Sequence, residues 1–197
     1  MNESEKFTKV PFELMDNISQ FNYKLSDKIS PSIYRKNITP NMITLFRALL
    51  GILSISLIKK NKVLSAILVI LFHFLDCLDG HHARKNNMVT KFGDYFDHFV
   101  DISIGLSLVV YLYPKVDKIR KIVGGVILFF MLIYLGCEQK YILLKNKNVI
   151  NDESLTFIQY FCPTNDPKRV DLILRLTKMF SIGAFITFLA SCILSLK

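Results

Sequence analysis

Apolar residues in this chain gather into runs, at residues 42–58, Val63 to Leu78, Gly93 to Tyr113, Ile119 to Leu144 and Leu176 to Leu196, with short charged patches between them. At 1.5 Å of rise per helical residue, runs of this length cross most or all of about 30 Å of hydrocarbon. The pattern predicts an all-α integral membrane protein, a bundle of five to six transmembrane helices. The sixth rests on Leu155 to Phe161, which is apolar but too short to span and reads as an amphipathic piece. Ahead of the first run, residues 1–38 are polar, with Phe7, Val10, Phe12, Leu14, Met15, Ile18, Phe21 and Tyr23 dotted through at roughly helical intervals. That spacing predicts an amphipathic segment lying on the membrane surface. Thr39-Pro40-Asn41 then supplies a helix start, with Pro at the first helical position. The chain therefore divides into an interfacial segment, 1–38, and a transmembrane domain, 39–197.

Grouping alternate loops of a five-span arrangement, and leaving aside Arg47 inside the first run, puts sixteen Lys and Arg on the N-terminal side and eight opposite. The positive-inside rule then predicts a multi-pass protein with its N terminus, and the loop between spans two and three, in the cytosol. The N-terminal stretch has no apolar core of its own, so no cleavable targeting segment is expected.

Composition narrows the classes further. With 51% apolar residues and 24 aromatic ones the chain is not of the disordered kind. Twenty-five Lys and Arg against sixteen Asp and Glu give a net charge of +9, which between membrane spans suits lipid headgroups or a phosphorylated substrate rather than nucleic acid. Cys77, Cys137, Cys162 and Cys192 are scattered without close pairs. They read as reduced packing residues, not as a disulfide scaffold or zinc ribbon.

The chemistry concentrates between residues 76 and 101. Asp76 and Asp79 are three apart and Asp97 and Asp101 four apart, so each pair shares one helical face. Two helices joined by a short loop would turn those faces together. Carboxylates at membrane depth are costly unless paired, hydrated or bound to a cation. Neither helical face carries a Lys or Arg to match them, and oxygen-only ligands favour Mg²⁺, Mn²⁺ or Ca²⁺. Gly80, Ala83 and Gly93 leave room for close approach, and Arg84 offers a planar fork for phosphate. Together these residues point to metal-assisted phosphoryl transfer.

The full spacing, Asp76-x2-Asp79-Gly80-x2-Ala83-Arg84-x8-Gly93-x3-Asp97-x3-Asp101, resembles the signature of the CDP-alcohol phosphatidyltransferase family, and all eight specified positions are filled. Thr39 to Arg47 also resembles the stretch that opens the first membrane helix there. The resemblance implies a six-helix bundle and a reaction in which an alcohol attacks a CDP-linked substrate, one of the two being a lipid, with release of CMP. It implies two divalent ions, Mg²⁺ or Mn²⁺, held by Asp76, Asp79, Asp97 and Asp101, with Asp101 as the catalytic base. Gly80, Ala83, Arg84 and Gly93, with Asn41 and Thr44, would contact the CDP moiety. Arg47 and His98 are further candidates for phosphate or substrate contact, and a homodimer is implied as well. Phe96-Asp97-His98 with Asp101 resembles an element of choline and ethanolamine phosphotransferases, so the donor stays open between CDP-diacylglycerol and a CDP-aminoalcohol.

Other readings compete. All four histidines, His73, His81, His82 and His98, lie near the acids, as in a divalent-cation transporter. That class leaves the Gly80, Ala83, Arg84 and Gly93 spacing unexplained. His81 and His82 are expected at a loop or the membrane surface. Gly105, Gly124 and Gly125 are expected as close-packing positions between helices. Lys140, Lys145 and Lys147 are expected to face lipid headgroups, and Arg47 could equally snorkel.

Overall fold

The computed structural model describes residues 3–145 and 156–196, and among these the regular structure is entirely helical. Two 3₁₀ turns, Glu3–Phe7 and Phe12–Leu14, lead into α1 (Asn17–Arg35). Then come α2 (Pro40–Leu57), α3 (Lys62–Lys85), α4 (Lys91–Leu112), α5 (Lys118–Lys145), a 3₁₀ helix over Thr156–Phe161, α6 (Pro167–Thr177) and α7 (Ile182–Ser195). Five stretches are long and apolar enough to cross a membrane: α2, α3, α4, α5 and the composite Pro167–Ser195. The chain is a multi-pass membrane protein.

Local chemistry sets the boundaries. Asp16, Asn61, Thr90 and Asp166 each accept a backbone N–H in the first turn of the helix that follows. Asn37 and Asn87, just past the ends of α1 and α3, both adopt φ of 55°. Asn tolerates this left-handed conformation, which ends a helix. The second of these stops brings α4 back toward α3 within a few residues, and so faces the two acidic pairs.

The last crossing differs from the expected single run, Leu176 to Leu196. It bends through a 3₁₀ turn at Lys178–Phe180, and α7 restarts at Ser181, whose backbone is extended. The bend places Ser181 Oγ to donate to Asp16 Oδ2 at 2.6 Å. Thr156–Phe161 is an accessory turn packed on α5, not a sixth span. Leu155 and Lys147 lie outside the described residues.

One core joins α2, α3, α4 and α7 through Ile55, Val69, Phe72, Ile104, Leu108 and Ile193. Within it Ser65 Oγ donates to the Ser54 carbonyl at 2.9 Å, and Ser54 Oγ to that of Ser65 at 3.0 Å. A second core holds the N-terminal segment: Val10, Leu14 and Met15 bury against Tyr134, Val170 and Leu174. Burying side chains of this size is worth about 1.5–3 kcal/mol each. This part of the segment is therefore not merely laid on a surface.

Helix α1 is amphipathic with its polar face inward. It buries Asn22, Ser26 and Ser30 against α3 and leaves Phe21 and Ile18 exposed. The physical reason is the end of α3 that it covers, which carries His81, His82 and Lys85 and needs hydrogen-bonding partners.

Three further expectations are corrected. Cys137 and Cys162 are not reduced but form a disulfide that ties Thr156–Phe161 to α5. Their 25-residue separation hid a spatial pairing that only helix packing creates. Cys77 and Cys192 are free and buried, as expected. Of the glycines, Gly124 is a close-packing position, where a Cβ would meet Phe188 at 2.9 Å, whereas Gly105 and Gly125 face open space.

Candidate active site

The i, i+3 and i, i+4 spacings deliver what they predicted: Asp76 and Asp79 on α3 face Asp97 and Asp101 on α4. What fills the space between them is Arg47 of α2. Its guanidinium, 0% exposed, donates from Nη1 to Asp76 Oδ1 at 2.6 Å and to Asp101 Oδ1 at 2.7 Å, and from Nη2 to Asp97 Oδ1 at 2.5 Å. Nε lies 3.7 Å from Asp79 Oδ2, which instead accepts from Thr44 Oγ1 at 2.8 Å. Phe72 closes the far side, its ring centroid 4.8 Å from the guanidinium carbon. The carboxylates thus have a cation, supplied by a third helix rather than by their own faces. Arg47 does not snorkel.

Four carboxylates against one guanidinium leave a formal excess of three negative charges. Oxygens of Asp76, Asp97 and Asp101 lie within 4.8 Å of one another. A cluster of hard oxygen donors with surplus negative charge, partly reachable by solvent at Asp97 and Asp101, can hold a divalent cation.

The other candidates divide. Gly80, Ala83 and Arg84 continue the Asp76 face of α3 by one and two turns. Arg84 is drawn away from the carboxylates: its Nε donates to the Phe7 carbonyl at 2.6 Å, and its guanidinium folds over Gly80, where a Cβ would meet it at 3.3 Å. Gly93 lets the start of α4 approach α2, since a Cβ there would meet Asn41 Oδ1 at 2.9 Å. Asn41, Thr44, Gly93 and the carboxylates therefore share one mouth. His98 turns back along its own helix, Nδ1 lying 2.7 Å from the Asp94 carbonyl.

His81 and His82, expected at a surface, are completely buried under α1. His82 Nε2 donates to the Ile38 carbonyl at 3.1 Å, and its Nδ1 is 2.8 Å from Ser30 Oγ. His81 Nε2 is 3.1 Å from Asp27 Oδ1, to which Lys85 Nζ also donates at 2.6 Å. Burial alone would raise the Asp27 carboxyl, but the hydrogen bonds from Lys85 and His81 outweigh it and hold it below the usual carboxylate value. Sequence reading missed Asp27 and Ser30. Nothing in their local spacing marked these two, because both meet residues of α3 some fifty positions away in sequence.

Comparison with known proteins agrees with this geometry. The family model described as CDP-alcohol phosphatidyltransferase matches residues 37–194. The bifunctional IPC transferase and DIPP synthase of Aquifex aeolicus (strain VF5) is 30% identical over 154 residues, 71% of this chain and 36% of that protein. The archaetidylinositol phosphate synthase of Pyrococcus horikoshii is 34% identical over 76 residues, 38% and 40% of the respective chains. The CDP-diacylglycerol–inositol 3-phosphatidyltransferase of Candida albicans is 37% identical over 79 residues, 39% and 34%. The matched segments span about a third to two fifths of these relatives' lengths. With the matched region covering most of its length, and the Asp76 to Asp101 motif assembled in space, the chain belongs to the CDP-alcohol phosphatidyltransferase family.

Proposed function

We propose that the chain transfers a phosphatidyl-type group from a CDP-linked lipid to the hydroxyl of a water-soluble alcohol, releasing CMP. The observation that carries this reading is the convergence of Asp76, Asp79, Asp97 and Asp101 onto one point from two helices long and apolar enough to cross a membrane. A cation transporter would need the acids but not the family's complete motif, which the chain has along with them.

An apolar cavity of about 320 Å³ lies beside the motif. Ile38, Met42, Phe46, Leu75 and Leu78 are among its walls, and Leu75 and Leu78 neighbour Asp76 and Asp79 on α3. Such walls suit the acyl chains of the lipid substrate in either donor class, so the choice of CDP-diacylglycerol rests on similarity. The Candida relative carries CDP-diacylglycerol in its name.

Asp76, Asp79, Asp97 and Asp101 would hold Mg²⁺ or Mn²⁺, whose chemistry here is to neutralise the diphosphate and improve CMP as a leaving group. Asn41, Thr44, Gly80, Ala83, Arg84 and Gly93 would orient the nucleotide along the mouth between α2, α3 and α4. Asp101 takes the proton of the attacking hydroxyl. The alcohol oxygen forms a new bond to the phosphorus bearing the lipid, and the bond from that phosphorus to the bridging oxygen breaks. CMP departs with the electron pair, and the proton on Asp101 returns to solvent. A cytosolic N terminus and active site fit the basic-residue count. Pairing of two copies belongs to the same reading.

The test is CMP release by the purified protein in lipid, offered CDP-diacylglycerol with a panel of water-soluble alcohols or, separately, CDP-choline and CDP-ethanolamine with diacylglycerol. Release is expected only in the first set, abolished by EDTA and lowered about 10²–10⁴-fold in Asp101→Asn. Release confined to the second set overturns the donor, and wild-type turnover in Asp101→Asn overturns the role of the base.

A further inference from the structure

Arg84 is half-buried, yet among the described residues it pairs with no Asp or Glu. Its contacts are neutral. Nε donates to the Phe7 carbonyl at 2.6 Å, Nη2 lies 3.5 Å from the Tyr23 phenol oxygen, and the guanidinium carbon is 5.9 Å from the Tyr23 ring centroid. Helical side chains lean toward the N-terminus of their helix, and this one runs back along α3 until Nη1 and Nη2 lie over Gly80. A Cβ at Gly80 would meet them at 3.3 Å and 3.4 Å. The fork therefore sits one turn, about 6 Å of helix rise, from Asp76. With Nε taken by a carbonyl, the Nη1–Nη2 edge is left for a ligand, and a planar fork of this kind matches a phosphate.

What aims the fork is the first turn of the chain, Glu3–Phe7, and that turn is built rather than loose. Glu5 Oε1 accepts from the Phe12 N–H at 3.1 Å. Thr8 Oγ1 lies 2.9 Å from the Glu5 carbonyl and 2.8 Å from that of Val10, so its hydroxyl closes the turn onto the segment that follows. Val10, Phe12 and Leu14 then anchor that segment in the second core. The Phe7 ring meets His81 of α3 edge-on, with centroids 5.9 Å apart. A carbonyl held in this way cannot rotate aside as a free side chain can, so its bond to Nε sets the plane of the guanidinium.

We propose that the N-terminal turn is a positioning strap for nucleotide binding: through the Phe7 carbonyl it holds the Arg84 fork over Gly80, ready to take a phosphate of the CDP-linked substrate. The inference rests on the reading of the chain as a CDP-lipid transferase. Glu5 and Thr8 are the positioning residues, since they shape the strap and act on the substrate only through Arg84. The physical gain is preorganisation. An arginine already held in its binding conformation loses less side-chain freedom when the phosphate arrives. A strap that instead withheld Arg84 from the phosphate would need to occupy the Nη1–Nη2 edge, and the Phe7 carbonyl occupies Nε.

The experiment titrates the full chain in lipid with CDP in the presence of Mg²⁺ and reads Kd without turnover. In Thr8→Ala, and independently in Glu5→Ala, Kd for CDP is expected to rise about tenfold, the scale of one charge-assisted hydrogen bond. Thr8→Ser, which keeps the hydroxyl, should restore wild-type affinity. In an Arg84→Gln background, Thr8→Ala should change Kd by less than about twofold, because the strap acts through Arg84. A full further loss in that background would show a general loosening and overturn the proposal. Unchanged affinity in both strap variants overturns it, and tighter CDP binding overturns it in favour of a latch. CMP release from CDP-diacylglycerol is measured on the same preparations. Strap-dependent CDP binding without release for any alcohol overturns the transferase reading and leaves the strap, whereas no CDP binding by folded wild type overturns both.

Discussion

Arg47 and Asp101, fifty-four residues apart, meet at 2.7 Å, and the same Arg47 nitrogen reaches Asp76 at 2.6 Å. One guanidinium from α2 thereby ties the acidic pair of α3 to that of α4. The bundle can assemble with its carboxylates neutralised in part before any divalent cation is present. This matters because a charge cluster at membrane depth is tolerated only when paired.

The Arg47 tie predicts a stability effect that depends on metal. Arg47→Met leaves four carboxylates without their guanidinium, and removing one partner of a buried pair costs about 3–5 kcal/mol. The thermal midpoint of the variant in EDTA should therefore fall well below that of wild type. Saturating Mg²⁺ or Mn²⁺ should raise the variant's midpoint by more than the wild type's, since ligand at 100 times its Kd is worth about 2.7 kcal/mol. Equal shifts in the two proteins would show that Arg47 and the cation do not act on the same carboxylates.

Gly136 and Gly125, both on α5, should respond oppositely to alanine. At Gly136 a Cβ would meet the backbone of the disulfide-tied turn, with Cys162 N and the Ile158 carbonyl oxygen both at 2.8 Å. Backbone cannot rotate away as a side chain can, so Gly136→Ala is expected to cost about 1–3 kcal/mol. Gly125 has nothing within 4 Å, and Gly125→Ala should stay within about 0.5 kcal/mol of wild type. Thermal midpoints of the two variants, measured side by side in one detergent, decide it.

The Asp27 contact with Lys85 and His81 gives α1 a pH-dependent hold on α3. Its folded carboxyl titrates below the unfolded value of about 4, so the stabilisation is complete above about pH 4 and is lost as the pH falls through the lower folded value. Asp27→Asn should thus be less stable than wild type near neutral pH, with the gap closing as the pH falls below about 4. Proteolysis between α1 and α2 across this range is a direct readout. A gap that persists at low pH would mean that the carboxylate charge is not what holds the helix.

Much of this protein is set locally. Apolar run length fixes α2, α3, α4 and α5 because a helix needs no distant partner to satisfy its backbone in lipid. Capping residues and Pro40 mark the helix ends for the same reason, and helical periodicity alone puts Asp76 with Asp79 and Asp97 with Asp101. The eight motif positions then carried the family. What the tertiary structure alone decided is whatever depends on which helices touch. Arg47 among four carboxylates, Cys137 bonded to Cys162, and His81 and His82 beneath α1 are all contacts between segments far apart along the chain. The hold of the Phe7 carbonyl on Arg84 is of this kind as well, since it joins two segments whose mutual placement no local pattern encodes. A single helical face can be read by counting residues, but the space between helices exists only after packing has chosen which faces meet.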